Sequence, residues 1–120
     1  MNITDINELH KYYNQRQTDY EEYLRAKLND FKSAQGKYLS EVIAGACEQA
    51  KAALENSNRT AFIRFYDIIV DLELKTKQNY PVSLLNRLAQ SARKTFDDSL
   101  KFNQSIFEQS IVYYKDLLNK

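Results

Sequence analysis

Hydrophobic positions recur along this chain at the spacing of amphipathic helices. Ile6, Leu9, Tyr13, Tyr20, Leu24, Leu28 and Phe31 fall three, four or seven residues apart and mark one stripe to about Gln35. Thr4 or Asp5 can cap its start, with Glu8 placed for a capping box, and Gly36 suits its end. A second stripe of Leu39, Val42, Ile43, Ala46, Ala50, Ala53 and Leu54 predicts a helix over about 37–55. Asn56-Ser57-Asn58 then reads as a polar turn, with Ser57 or Asn58 capping a third helix over about 59–77. That third segment is apolar on two sides, through Phe62, Ile63, Phe65, Tyr66, Ile68, Ile69, Val70, Leu72 and Leu74, which predicts a place at the centre of a bundle. Gln78-Asn79-Tyr80-Pro81 makes the next turn. A last helix follows over about 81–119, carried by Leu85, Leu88, Ala92, Phe96, Leu100, Phe107, Ile111, Tyr114 and Leu118.

These elements predict a single all-α domain over residues 1–120, an antiparallel four-helix bundle. The first and last helices outrun the middle pair, so they are expected to extend as a coiled-coil-like overhang. In up-down-up-down order the start of the first helix lies beside the end of the last. Tyr12, Tyr13, Tyr20, Tyr113, Tyr114 and Leu117 would then gather at one end as a partner-binding surface, since tyrosine offers an apolar ring and a water-tolerant hydroxyl.

Composition supports helix and narrows the chemistry. Two glycines and one proline in 120 residues leave little material for tight turns or glycine-rich phosphate loops. Seventeen basic residues oppose sixteen acidic ones, and the balance holds in both halves of the chain. No dominant basic field therefore invites nucleic acid. With one cysteine, Cys47, no intrachain disulfide is possible, and its small neighbours Ala44, Gly45 and Ala46 mark it as a packing residue. The absence of a signal-like or membrane-spanning apolar run gives a cytoplasmic expectation with no transmembrane segment.

No catalytic, metal or cofactor residues are expected. His10 is the single histidine and cannot supply paired histidine ligands. Asp67 and Asp71, Glu21 and Glu22, and Asp97 and Asp98 each have basic neighbours at helical spacing, which suits solvated ion-pair faces. The function expected is a non-enzymatic helical protein–protein interaction module: a homodimer, a small subunit of a complex, or a protein inhibitor. Two alternatives come from other classes. In size, helicity and scarcity of cysteine the chain is similar in general character to the phasins, which coat polyester granules with amphipathic helices. Arg87, Arg93, Lys94 and Lys101, interleaved with Phe96 and Phe102, suggest a small helical subunit of a nucleoprotein complex.

Overall fold

The computed structural model describes the backbone of residues 6–34 and 41–118, and the side chains of residues 6–29, 45–114, 116 and 117. Three helices account for nearly all of it: α1 (Ile6–Ala34), α2 (Glu41–Lys77) and α3 (Val82–Leu118). The expected cap at Thr4 or Asp5 and the break at Gly36 lie outside the described residues.

The four-helix bundle is corrected here. Residues 56–58, expected as a turn between a second and third helix, are interior turns of one 37-residue helix. The tripeptide holds neither glycine nor proline, so nothing in its backbone forces the chain out of helix. Asn56 and Ser57 are exposed, and the Thr60 hydroxyl donates to the Asn56 carbonyl at 3.3 Å, a bond that sits comfortably inside a helix. Asn58 points inward instead of capping anything. It is 4% exposed, and its Oδ1 accepts from Asn103 Nδ2 at 3.0 Å. An amide pair of this kind helps fix the register of two helices, because a slip in either direction strands the buried Asn58 amide without its partner.

The α2–α3 turn falls where the polar run before Pro81 places it. Asn79 takes φ 60°, Tyr80 N–H donates to the Lys75 carbonyl at 3.2 Å, and Asn79 N–H donates to the Thr76 carbonyl at 3.2 Å. This is the Schellman arrangement, in which a left-handed residue reverses the chain, and asparagine is the non-glycine residue that tolerates it best. The Pro81 carbonyl then accepts from Leu84 and Leu85, starting α3.

Two 37-residue helices joined by so short a turn form a hairpin of about 55 Å. It sets the long dimension of the molecule, 62 × 18 × 16 Å. α1 lies along one face of the hairpin, in the groove between α2 and α3. Tyr12 bonds Asp97 and Tyr23 bonds Glu108, the same offset of 85 residues both times, so α1 runs parallel to α3. His10 meets Glu73, and Tyr13 packs on Phe62, so α1 runs antiparallel to α2. By that offset the start of α1 at Ile6 falls level with Ser91, in the first half of α3 and not beside its end. With α2 as long as α3, the expected coiled-coil-like overhang of the first and last helices does not form among the described residues.

Apolar burial divides into two clusters. Nearest the turn, Leu9, Phe62, Phe65, Ile69, Leu72, Leu85, Ala89 and Phe96 pack together, with Phe65 stacked on Phe96 at 4.4 Å between ring centroids. Towards the other end, Leu24, Cys47, Leu54, Phe107 and Ile111 form the second. The Asn58–Asn103 pair lies between them. Burying a large side chain stabilises by about 1.5–3 kcal/mol, so these stripes supply most of the driving force.

Candidate functional site

The six residues expected to form one partner surface are not brought together. Tyr12 and Tyr13 pack against the first cluster, whereas Tyr20 and Tyr114 pack against the second. Tyr113 is exposed near the end of α3 and Leu117 is half-buried one turn beyond it. The reason is the parallel alignment of α1 with α3, which carries Tyr12 and Tyr13 away from Tyr113 and Tyr114.

Most of the α1 tyrosines work within the fold. Tyr12 donates to Asp97, and the guanidinium groups of Arg16 and Arg93 approach its ring at 5.0 and 4.2 Å. Burial, then the bond to Asp97, pushes its phenol pKa up. Tyr23 donates to Glu108 at 2.9 Å, and burial followed by that carboxylate raises its pKa strongly. Tyr20 is different: its hydroxyl is buried and has no hydrogen-bond partner among the described residues, and burial pushes its pKa up to about 12. It separates two clefts of about 250 and 240 Å³ that flank α1 beside Asn58.

The remaining candidate groups make contacts within the fold. His10 sits half-buried with Nε2 at 2.9 Å from Glu73 Oε1 and its ring edge on Tyr66. Cys47 is buried in the second cluster, and burial, with Glu48 adding to it, raises its thiol pKa, which disfavours the reactive thiolate. Asp71 pairs with Lys75 and Asp98 with Lys94, as ion-pair faces do. The basic–aromatic grouping on α3 is dispersed: Phe96 is in the core, Arg93 covers Tyr12, and Phe102 alone of the two phenylalanines reaches solvent. Gly45, one of the small neighbours of Cys47, is exposed, and a Cβ added there would meet nothing within 4 Å.

The largest unexplained feature is the hairpin face opposite α1. Leu84, Leu88, Thr95, Ser99, Phe102, Ile106 and Tyr113 recur on α3 at intervals of four, seven, four, three, four and seven, so they share one side of that helix. Its apolar members stand open, with Phe102 65% exposed, Tyr113 60% and Ile106 49%. Across from them α2 presents small side chains: Ala50, Ala53, Ser57, Thr60 and Ala61. Between the two helices run shallow grooves of about 320 and 70 Å³, and among the described residues none of α1 lines either. A wall of small residues facing a ridge of large ones is the relief against which a further helix packs closely, near the short end of the ~8–10 Å range. The position is the one a fourth helix would take.

Sequence reasoning placed Leu88 and Ile63, Tyr66, Val70 and Leu74 in a core. They are exposed, because a three-helix arrangement has one layer fewer to cover them. The signal that a face was uncovered lay in Phe102 and Ile106, a second apolar line beside the core stripe of the last helix. No protein-family model, curated protein or solved structure matches the chain.

Proposed function

We propose that this protein is a non-enzymatic helical interaction module, which binds another protein through the open face of the α2–α3 hairpin. The observation that carries the reading is the stripe from Leu84 to Tyr113, about 44 Å long at ~1.5 Å per residue, lying beside a floor of alanine and serine. Exposed apolar surface marks interaction sites; here it falls in two patches, Leu84–Leu88 and Phe102–Tyr113, joined through the small polar Thr95 and Ser99, and helices lie in such grooves on i, i+3, i+4, i+7 anchors. The buried groups elsewhere favour the same conclusion, since Tyr12, Tyr23 and His10 are spent on holding α1 in place. A granule-coating role needs helices that open, and the stacked Phe65–Phe96 core with fully buried Ile69 opposes opening.

Site-specific photo-crosslinking in the native source tests this reading. A photoreactive residue at Ile106 should give discrete protein adducts that Phe102→Asp removes, while one at exposed Asn14 on α1 gives none. Equal labelling from both positions, or none from Ile106, would overturn it.

A further inference from the structure

We infer that the cleft between α1 and α3 binds a small, flat, uncharged molecule that brings hydrogen-bond acceptors, at a site separate from the open hairpin face. All three helices build it. One wall runs from Arg16 to Tyr23 and the other from Asp97 to Gln104, each at i, i+3, i+4, i+7 spacing, and Leu54 and Asn58 of α2 lie at the floor. The cleft holds about 250 Å³. An apolar cavity of about 150 Å³ already takes benzene, so there is room here for two fused rings. Leu54, Leu100 and the rings of Tyr20 and Tyr23 offer such a molecule apolar contact. Because all three helices touch it, the ligand would also clamp α1 to the hairpin.

The polar groups set its chemistry. Asn58 is 4% exposed, and its Oδ1 accepts from Asn103, which lines the grooves of the opposite face. Its Nδ2, with two protons to give, has no partner among the described residues, and the side chain lies at the cleft floor. On the α1 wall the Tyr20 hydroxyl and Arg16 Nε are likewise buried without a partner among the described residues. A phenol with its pKa at about 12 keeps its proton at neutral pH, and clefts on both sides of the Tyr20 ring leave room to turn it towards a ligand. The carboxylates of the cleft are engaged: Asp97 accepts from Tyr12, and Asp19 accepts from Gln15 at 2.8 Å and pairs with Arg16 at 3.6 Å. What the site lacks is therefore an acceptor, and buried donors left unmet are costly. Charge selects neither sign. Arg16 and Lys101 balance Asp19 and Asp97, so a charged ligand would meet its own sign on both walls. The neighbouring cleft of about 240 Å³ shares Tyr20 and Asn58, but it carries Glu21 and Glu55, whose oxygens would repel a ligand's acceptors.

The test titrates the isotope-labelled full chain with four two-ring probes of similar size, followed by NMR. Coumarin carries acceptors without a donor or a charge, indole a donor without an acceptor, naphthoate a negative charge and naphthamidine a positive one. Coumarin should bind saturably, with a Kd of about 1 mM or below, and shift the Asn58 side-chain amide signals. It should bind at least fivefold more tightly than each of the others. Tyr20→Phe keeps the ring and loses the hydroxyl, and should weaken coumarin at least threefold. Gln104→Trp, at an exposed position on the rim, should close the mouth and abolish binding, whereas Lys101→Ala should leave it unchanged. Indole binding as tightly as coumarin would overturn the acceptor assignment. Tightest binding by naphthoate, lost in Lys101→Ala, would make this an anion site and overturn it too. Shifts confined to Phe102 and Ile106 would place the probe on the open face, and no binding by any probe would mean that water meets these donors; either result would overturn the proposal.

Discussion

Asn58 and Asn103 offer the sharpest test of how α2 and α3 are joined. Asn103→Leu leaves the Asn58 amide oxygen 4% exposed in its residue and without its donor, a desolvation penalty of about 1–3 kcal/mol. Asn58→Leu leaves the Asn103 amide unpaired, but Asn103 is half-buried and water can replace part of the bond, so the loss should be smaller, about 1–2 kcal/mol. The double leucine variant buries two apolar groups with no orphan left, and the clefts of about 250 and 240 Å³ beside Asn58 give the larger side chains room. It should therefore cost much less than the sum, a coupling of about 1–2 kcal/mol in a double-mutant cycle. For 120 residues the unfolding entropy near the midpoint is roughly 0.25 kcal/mol/K, so a 2 kcal/mol loss lowers Tm by about 8 °C. Urea unfolding followed by circular dichroism at 222 nm measures each ΔΔG, provided the slope with denaturant stays constant across the four proteins. If Asn58 capped a separate helix, its replacement alone would be costly, Asn103→Leu would be harmless, and the coupling would vanish. A coupling below about 0.3 kcal/mol, within ordinary additivity, would refute the buried pair.

Replacing exposed Asn56 and Ser57 together by alanine should stabilise the protein by about 1 kcal/mol through helix propensity, whereas a turn at this place would lose stability; thermal unfolding distinguishes the signs. Gly45→Ala should likewise gain about 0.5–1 kcal/mol, since an added Cβ finds open space in a helix interior, and a loss in urea unfolding would show that Gly45 is packed. Tyr20→Phe removes a buried hydroxyl that has no partner and should be neutral or stabilising by up to about 1 kcal/mol, while Tyr23→Phe breaks the bond to Glu108 and should cost about 1 kcal/mol. The same phenols set an alkaline limit. Folding raises the Tyr20 pKa from 10.0 to about 12, so the unfolded chain loses its proton first, and stability should be level below pH 10 and fall as pH rises from 10 to about 12. Equilibrium unfolding across that range checks it, and Tyr20→Phe should make the fall shallower.

Much of the fold could be read from residue spacing. The stripes through Leu9 and Leu24, Phe65 and Ile69, and Phe96, Phe107 and Ile111 all point inward, and the turn at Asn79 lies where the polar run before Pro81 places it. Spacing alone could not decide whether Asn56-Ser57-Asn58 ends a helix, because these side chains cap helices and also ride through them at a cost of a few tenths of a kcal/mol each. The decision belongs to Asn103, forty-five residues away, which turns a local capping signal into a long-range pair. That single misreading reversed the direction of the first helix relative to the last and scattered the expected tyrosine surface. The open face was present in the sequence as a surplus: Phe102, Ile106 and Tyr113 exceed what one core stripe on α3 requires.

The constant offset between α1 and α3 also bears on how the chain reaches its fold during synthesis. α1 leaves the ribosome first, yet its seat is a groove walled by two helices that are made after it. Tyr12 waits for Asp97 and Tyr23 waits for Glu108, in each case across 85 intervening residues. The α2–α3 hairpin, closed by a short local turn, can zip as soon as its second strand of helix emerges, because short loops cost the least entropy to close. Of the three helices, the one translated first is therefore expected to dock last, and until then its apolar stripe needs protection from other nascent chains.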